Sequence, residues 1–237
     1  MEYAAVSPVG SLIDDIERDF FTNGRYHYIL DGLKVTIEVT IIGLIIGLLI
    51  GVIVGAITSL HQVNGKLKIP NTVCNLYITV IRGTPTTIQL LIIYFVVFAS
   101  LAFSQVFIAG VAFGINSGAY VAEIMRAGIG SVPKGQFEAC SSLGLSTETT
   151  MKSVILPQAL RNILPALCNE GITLLKETSI CGYIGLMDLT RAGNIIRAQT
   201  FDAFLPLIGV ALIYLILVLV LSYLVKRLER RLSVNAV

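Results

Sequence analysis

The feature that most restricts this chain is that its apolar residues come in runs long enough to cross a bilayer, separated by short polar segments. Crossing the hydrocarbon, about 30 Å thick, takes roughly 20 mainly apolar residues. Five stretches reach that length, at about 33–60, 68–103, 105–126, 155–177 and 204–225. Inside hydrocarbon each backbone N–H and C=O must find a partner within the segment, which selects helices. The expected fold class is therefore all-α, a polytopic transmembrane helical bundle of five spans. Charged residues make up only 14% of the chain and mean hydropathy is +0.82, whereas an average soluble domain carries about 25% charged residues. The lipid bilayer is thus the first expected partner. A net charge of +2, spread over loops, gives no basis for nucleic-acid binding.

Five spans place the termini on opposite sides. Lys66, Lys68, Arg126, Lys134 and Lys152 fall in the first and third connections, and Lys226, Arg227, Arg230 and Arg231 follow the last span. Cytoplasmic loops carry the excess of Lys and Arg, so the amino terminus is expected outside and the carboxyl terminus in the cytoplasm. Arg18, Arg25, Arg191 and Arg197 remain on the outer side. Residues 1–30 lack the cationic start, apolar centre and cleavage site of a signal peptide, and Asp14, Asp15, Glu17 and Asp19 make them acidic. They are expected to form an exposed extracytoplasmic lead-in. Residues 31–231 then form the transmembrane domain, with a cytoplasmic loop at 131–150, and 232–237 a cytoplasmic tail.

Within the first span, Gly43, Gly47, Gly51 and Gly55 recur every fourth residue and so share one helical face, which favours close helix packing. The second span is interrupted at Arg82-Gly83-Thr84-Pro85, where proline removes a helical hydrogen bond and predicts a kink. Cys74, Cys140, Cys168 and Cys181 show no metal or redox spacing and read as small apolar fillers. No metal site is expected. The segment 181–202 mixes Gly182, Gly185, Asp188, Arg191 and Arg197 with apolar residues, and its conformation stays open at this level.

The most specific signal is Glu138-Ala139-Cys140-Ser141-Ser142-Leu143-Gly144, followed by Val154-Ile155-Leu156-Pro157. Pro133 suits a helix start and Gly144 a left-handed helix end, so 136–143 is expected to form two helical turns outside the membrane. The pattern resembles the cytoplasmic EAA loop of the membrane subunits of ABC-type importers. Cys140 stands where alanine is usual and Val154 where isoleucine is common. Arg82-Gly83-Thr84-Pro85 with Gln89 further resembles the subgroup that imports polar amino acids.

This resemblance, which runs from about residue 29 to the carboxyl end, implies a type I importer membrane-domain fold in a bacterial inner membrane. Glu138, Ala139, Gly144, Leu156 and Pro157 would be the ATPase-coupling residues. The implied partners are two ABC ATPase subunits, a second membrane subunit, identical or homologous, and an extracytoplasmic amino-acid-binding protein. The chain has no G-x-x-x-x-G-K-[ST] phosphate loop, so it is not itself the motor. ATP and Mg would belong to the partner ATPase, with no cofactor bound by this chain, which is expected to be a non-catalytic transport subunit.

A path for substrate is suggested by polar groups inside the spans. Glu170 lies twelve residues beyond Gln158, about 18 Å along the helix and so near the bilayer midplane. An ionisable group at that depth costs about 2.5–3.5 kcal/mol on insertion scales and usually faces a cavity or a paired charge. Asn169, Thr173 and Lys176 share one helical face, with Glu170 and Glu177 on an adjacent one. Asn116, Tyr120 and Glu123 share a face of the third span, flanked by Ser117. Either these groups line a site for a zwitterion, or Glu170 pairs with Arg82 as a structural bridge and the others hold helices together. Thr84, Thr86, Thr87 and Gln89 either add contacts or satisfy carbonyls freed by Pro85. A stand-alone ion-coupled secondary amino-acid transporter, with Glu170 as its ion site, is the rival reading. An intramembrane enzyme is disfavoured, because His27 and His61 lie outside the expected spans and no nucleophile–base spacing is present.

Overall fold

A computed structural model describes residues 8–65 and 67–234 of the chain. Lys66 and the end of the tail, 235–237, lie outside the described residues, as do the first seven positions of the lead-in. The elements in chain order are α1 (Pro8–Ile16), α2 (Tyr26–Asn64), α3 (Lys68–Arg82), α4 (Thr86–Ile92), α5 (Gln105–Gly130), α6 (Lys134–Ser142), α7 (Thr147–Thr150), α8 (Leu156–Glu177), α9 (Leu189–Thr200) and α10 (Phe204–Val234). Among the described residues none is in a strand.

Among the described residues, three helical stretches are long and apolar enough to cross a membrane: Tyr26–Gln62, Gln105–Gly130 and Phe204–Arg231. A fourth crossing is added if α3 and the α4 stretch, which meet at 106°, count as one broken span. The five expected from sequence exceed this count because α8, although 22 residues long, carries Gln158, Arg161, Asn162, Asn169, Glu170 and Lys176. The first span also starts earlier than expected. Helix α2 begins at Tyr26 and runs past His61, so both histidines lie in this helix, His27 at its start and His61 in its last turn. Their placement outside the spans is therefore corrected.

The bundle is organised around α2 against α5. A Cβ added at Gly51 would sit 2.3 Å from Val121 Cγ1, and one at Gly110 would sit 2.4 Å from Ile42 Cγ2. Each helix thus offers small residues to the branched side chains of the other, and hydrocarbon gives no hydrophobic force to compensate for a poorer fit. Three apolar clusters follow. Val39, Leu90, Phe113, Leu174 and Cys181 fill the centre. Ile29, Leu189, Ile196 and Val210 fasten α9 to α2 and α10. Ile129, Val132, Ile155 and Ile163 lie beside the 131–150 loop.

The acidic lead-in is tied down instead of extending freely. Arg18 donates to Asp15 (2.8 Å), Asp19 (2.8 Å) and Asp202 (3.2 Å), Asp19 is fully buried, and Arg25 donates to Gln199 Oε1 at 3.1 Å. The open segment 181–202 also acquires a conformation. A 3-10 turn (Thr178–Ile184) ends at left-handed Gly185, and Asp188 then caps α9 by accepting from Thr190 N at 2.9 Å and Arg191 N at 3.3 Å. Thr36 Oγ1 of α2 accepts from Leu189 N at 3.1 Å, a contact no local pattern announces.

Candidate functional site

Two groups of residues stand out, one at the surface loop and one along the helices. In the loop, Pro133 precedes α6, which spans Lys134–Ser142, and Gly144 leaves it at φ 72°. The helix has two unlike faces. Cys140 is buried and Phe137 packs with the cluster of Ile129, Val132, Ile155 and Ile163, whereas Glu138, Ala139, Ser142 and Leu143 are exposed. Leu143 is 78% exposed and Leu145 39%, an apolar pair on a loop that is otherwise polar. Leu156 packs against the same cluster that holds Phe137, and Pro157 occupies the first turn of α8. The two halves of the sequence pattern therefore share one foundation: the exposed face of α6 stands on the root of α8. Cys140 is buried, in keeping with its reading as a small apolar filler, whereas sequence reasoning missed the packing of Phe137; its three-residue spacing from Cys140 on one helical face was the available signal.

Along the helices, Gln89 is the hub. Its Nε2 donates to Ile81 O (2.7 Å), Thr84 O (3.1 Å) and Thr84 Oγ1 (2.7 Å), while its Oε1 accepts from Asn116 Nδ2 at 2.8 Å. The 106° break at Gly83–Pro85 frees carbonyls, and Gln89 and Thr84 satisfy them, with Thr84 Oγ1 donating to Val80 O at 2.8 Å. Gln89→Leu is expected to leave those carbonyls without donors and to cost about 1–3 kcal/mol. Thermal unfolding of the purified chain checks this, and an unchanged midpoint would remove Gln89 from the support of the break.

Ser117, next to Asn116, donates through Oγ to Glu170 Oε1 at 2.8 Å, joining α5 to α8. The expected alternative, a Glu170–Arg82 bridge, is not what forms. Arg82 instead lies 3.9 Å from Glu123 Oε2, and its guanidinium covers the Tyr120 ring at 5.3 Å. Glu123 sits three residues before Arg126 and holds it by a second ion pair. The reason is reach: Arg82 ends α3 beside the Tyr120–Glu123 face of α5, and Glu123 is already ionic. Glu170 therefore has a hydroxyl partner and no cation within ion-pair distance among the described residues.

Asn169, Thr173 and Lys176 are all exposed, on the side of α8 away from the core. Ile163, Leu174 and Leu175 are buried on the far side, and the buried Ala159 and Ile172 flank the stripe. So α8 shows a polar stripe outward, and Glu170 is half-buried between that stripe and Ser117. Among the described residues no group of three or more His, Cys, Asp or Glu residues is placed to hold a metal ion. The arrangement brings a carboxylate, hydroxyls and amides together where α5 faces α8 and the broken span.

Comparison with known proteins places this geometry in a group. Residues 43–234 match the model of the family described as binding-protein-dependent transport system inner membrane component. The chain is 46% identical over 165 residues to the arginine transport system permease protein ArtQ of Bacillus subtilis, covering 69% of this chain and 75% of that one. It is also 46% identical over 169 residues to the glutamine transport system permease protein GlnP of Escherichia coli K12, covering 70% and 77%. Among solved structures, one described as an amino acid ABC transporter with histidines superposes with a TM-score of 0.80 at 41% identity, over 90% of this chain and 98% of that one. An inward-facing form of the MetNI methionine ABC transporter shares the fold with a TM-score of 0.73 at 22% identity, over 87% and 97%.

Proposed function

The chain belongs to the binding-protein-dependent transport system inner membrane components, and from that membership we propose that it is the membrane subunit of an ATP-driven importer of a polar amino acid. It supplies pathway and coupling, and ATP with Mg is handled by two partner ATPase subunits seated on the 131–150 loop. A second membrane subunit, identical or homologous, closes the pathway, and an extracytoplasmic binding protein delivers the ligand. The broken span and α8 complete five crossings, with the amino terminus outside. In support, two outer cations, Arg18 and Arg25, are taken up by Asp15, Asp19, Asp202 and Gln199, while Lys134 and Lys152 lie in the opposite loop.

The observation that carries the pathway is the exposed stripe of Asn169, Thr173 and Lys176 on a helix of 22 residues, with Glu170 fixed beside it by Ser117. Polar groups at such depth are stable only against water or a polar partner. Glu170, Asn169, Thr173 and Lys176, with Ser117, Asn116 and Tyr120 behind them, then form the route along which a zwitterion exchanges hydration for protein contacts. Glu170 receives the ligand's cationic group. Thr84 and Gln89 hold the broken helix that borders the route. No observation favours an ion-coupled transporter working alone.

Glu170→Gln keeps shape and removes charge. It is expected to reduce uptake of the transported amino acid into proteoliposomes by tenfold or more, about 1.4 kcal/mol, with ATPase association retained. Uptake kinetics equal to those of the unmodified complex would assign Glu170 to helix packing alone.

A further inference from the structure

Beyond the outer end of the α8 stripe lies a cavity of about 590 Å³ in which Ser179, Tyr183, Thr190, Arg191 and Asn194 stand among aliphatic side chains. A neighbouring cavity of about 360 Å³ shares Ser179 and Thr190 and adds Lys176. The two form one vestibule, within the size range of small-molecule sites. Its wall is set by the turn between α8 and α9. Arg191 Nη1 donates to Gly182 O at 2.9 Å, and a Cβ at Gly182 would lie 3.6 Å from Arg191 Cβ, so the guanidinium stem is seated against that turn. The nearest acid in sequence, Asp188, is fully buried and committed to the first N–H groups of α9. Among the described residues Arg191 has no carboxylate within ion-pair distance and no partner for its other N–H groups. A half-buried guanidinium with free donors, sharing its cavity with hydroxyls and an amide and adjoining the cavity that Lys176 lines, has the chemistry of a carboxylate receptor.

We propose that this vestibule binds the α-carboxylate of the free amino acid before the ligand reaches Glu170, with Arg191 as its main contact and Lys176, next to Glu177, lining the adjoining cavity. The inference rests on the importer reading above. Glu170, six residues before Lys176 on the same helix, is about 9 Å deeper, so the carboxylate is recognised outside and the cationic group further in. Ligands lacking a free carboxylate gain nothing from Arg191.

The test uses the assembled complex with its ATPase in detergent, without binding protein. Equilibrium binding of L-arginine and L-glutamine is compared with that of L-argininamide and L-glutaminamide. Arg191→Gln, which keeps a donor for Gly182, is expected to weaken binding of the two acids about tenfold and leave the amides unchanged. Arg191→Lys is expected to recover most of the loss. Equal weakening of acids and amides, or wild-type binding in Arg191→Gln, would overturn the proposal. An Arg191 effect seen only when binding protein is added would overturn it too, since the cation would then meet an acidic side chain of the docked protein. Glu170→Gln, measured in parallel, separates the two claims: a response there with none at Arg191 removes the vestibule alone, and no response at either position removes the pathway as well. Failure of the wild-type complex to bind either acid likewise overturns both.

Discussion

Glu138→Lys is expected to separate ATP hydrolysis from transport while leaving the chain folded in the membrane. The side chain is exposed on α6, away from the buried Cys140 and from the cluster that Phe137 joins, so its replacement disturbs no packing within the subunit. Helix-in-groove contacts depend on a few directional groups, and disrupting a hydrogen-bonded interfacial charge costs about 2–5 kcal/mol. The ATPase subunit should therefore co-purify at least about thirtyfold less well, and ligand-stimulated hydrolysis should vanish. Normal recovery of the ATPase with Glu138→Lys would end the coupling assignment of this loop. The same assay applied to Gly144→Val asks about shape: at φ 72° a β-branched residue is strained although nothing lies within 4 Å of its Cβ. Loss of coupling there without loss of folding would show that the exit angle of α6 matters as well as its charge.

Gly51→Leu is expected to prevent a stable bundle altogether. Even an alanine Cβ at this position would lie 2.3 Å from Val121 Cγ1 and 2.9 Å from Gly118 O, and the second of these atoms is backbone. Overpacking in a well-packed core costs about 1–3 kcal/mol for small additions, and a leucine adds three more carbons to the clash. Gly51→Ala should lower the midpoint of thermal aggregation in detergent, and Gly51→Leu should leave little monodisperse protein. Adding Val121→Gly should recover part of the Gly51→Ala loss. Gly130→Ala, with open space around it, should change nothing measurable. A Gly51→Leu chain that elutes and melts like the original would mean that α2 and α5 do not meet as described.

How far the sequence could be read depended on whether a feature was local. The α6 helix was legible because Pro133 and Gly144 mark its ends, and the structure places it at Lys134–Ser142 against an expected 136–143. The stripe Gly43, Gly47, Gly51 and Gly55 announced a close helix contact but not its partner. The matching run Gly110, Gly114 and Gly118 in α5 shows the same spacing and was overlooked. Glu170 stood out by depth, yet its partner turned out to be Ser117 and not Arg82, because distance along α3 and α5 decides which acid a long cation reaches. The bend at Arg82–Pro85 was read as a kink, whereas 106° redirects the chain; proline marks a break in hydrogen bonding, and the angle comes from what Gln89 and Asn116 hold in place. The Thr36–Leu189 contact joins positions 153 apart and leaves no periodic trace.

The outward polar stripe of α8 has a further consequence for the life of the chain in a cell. A newly inserted copy presents Asn169, Thr173 and Lys176 at its periphery before any other subunit has joined it. Lipid solvates such groups poorly, so an orphan copy is expected to be less firmly inserted than an assembled one. Covering of α8 by a second membrane subunit is accordingly expected to lengthen the lifetime of the chain, which a pulse-chase with and without co-expressed partner subunits checks.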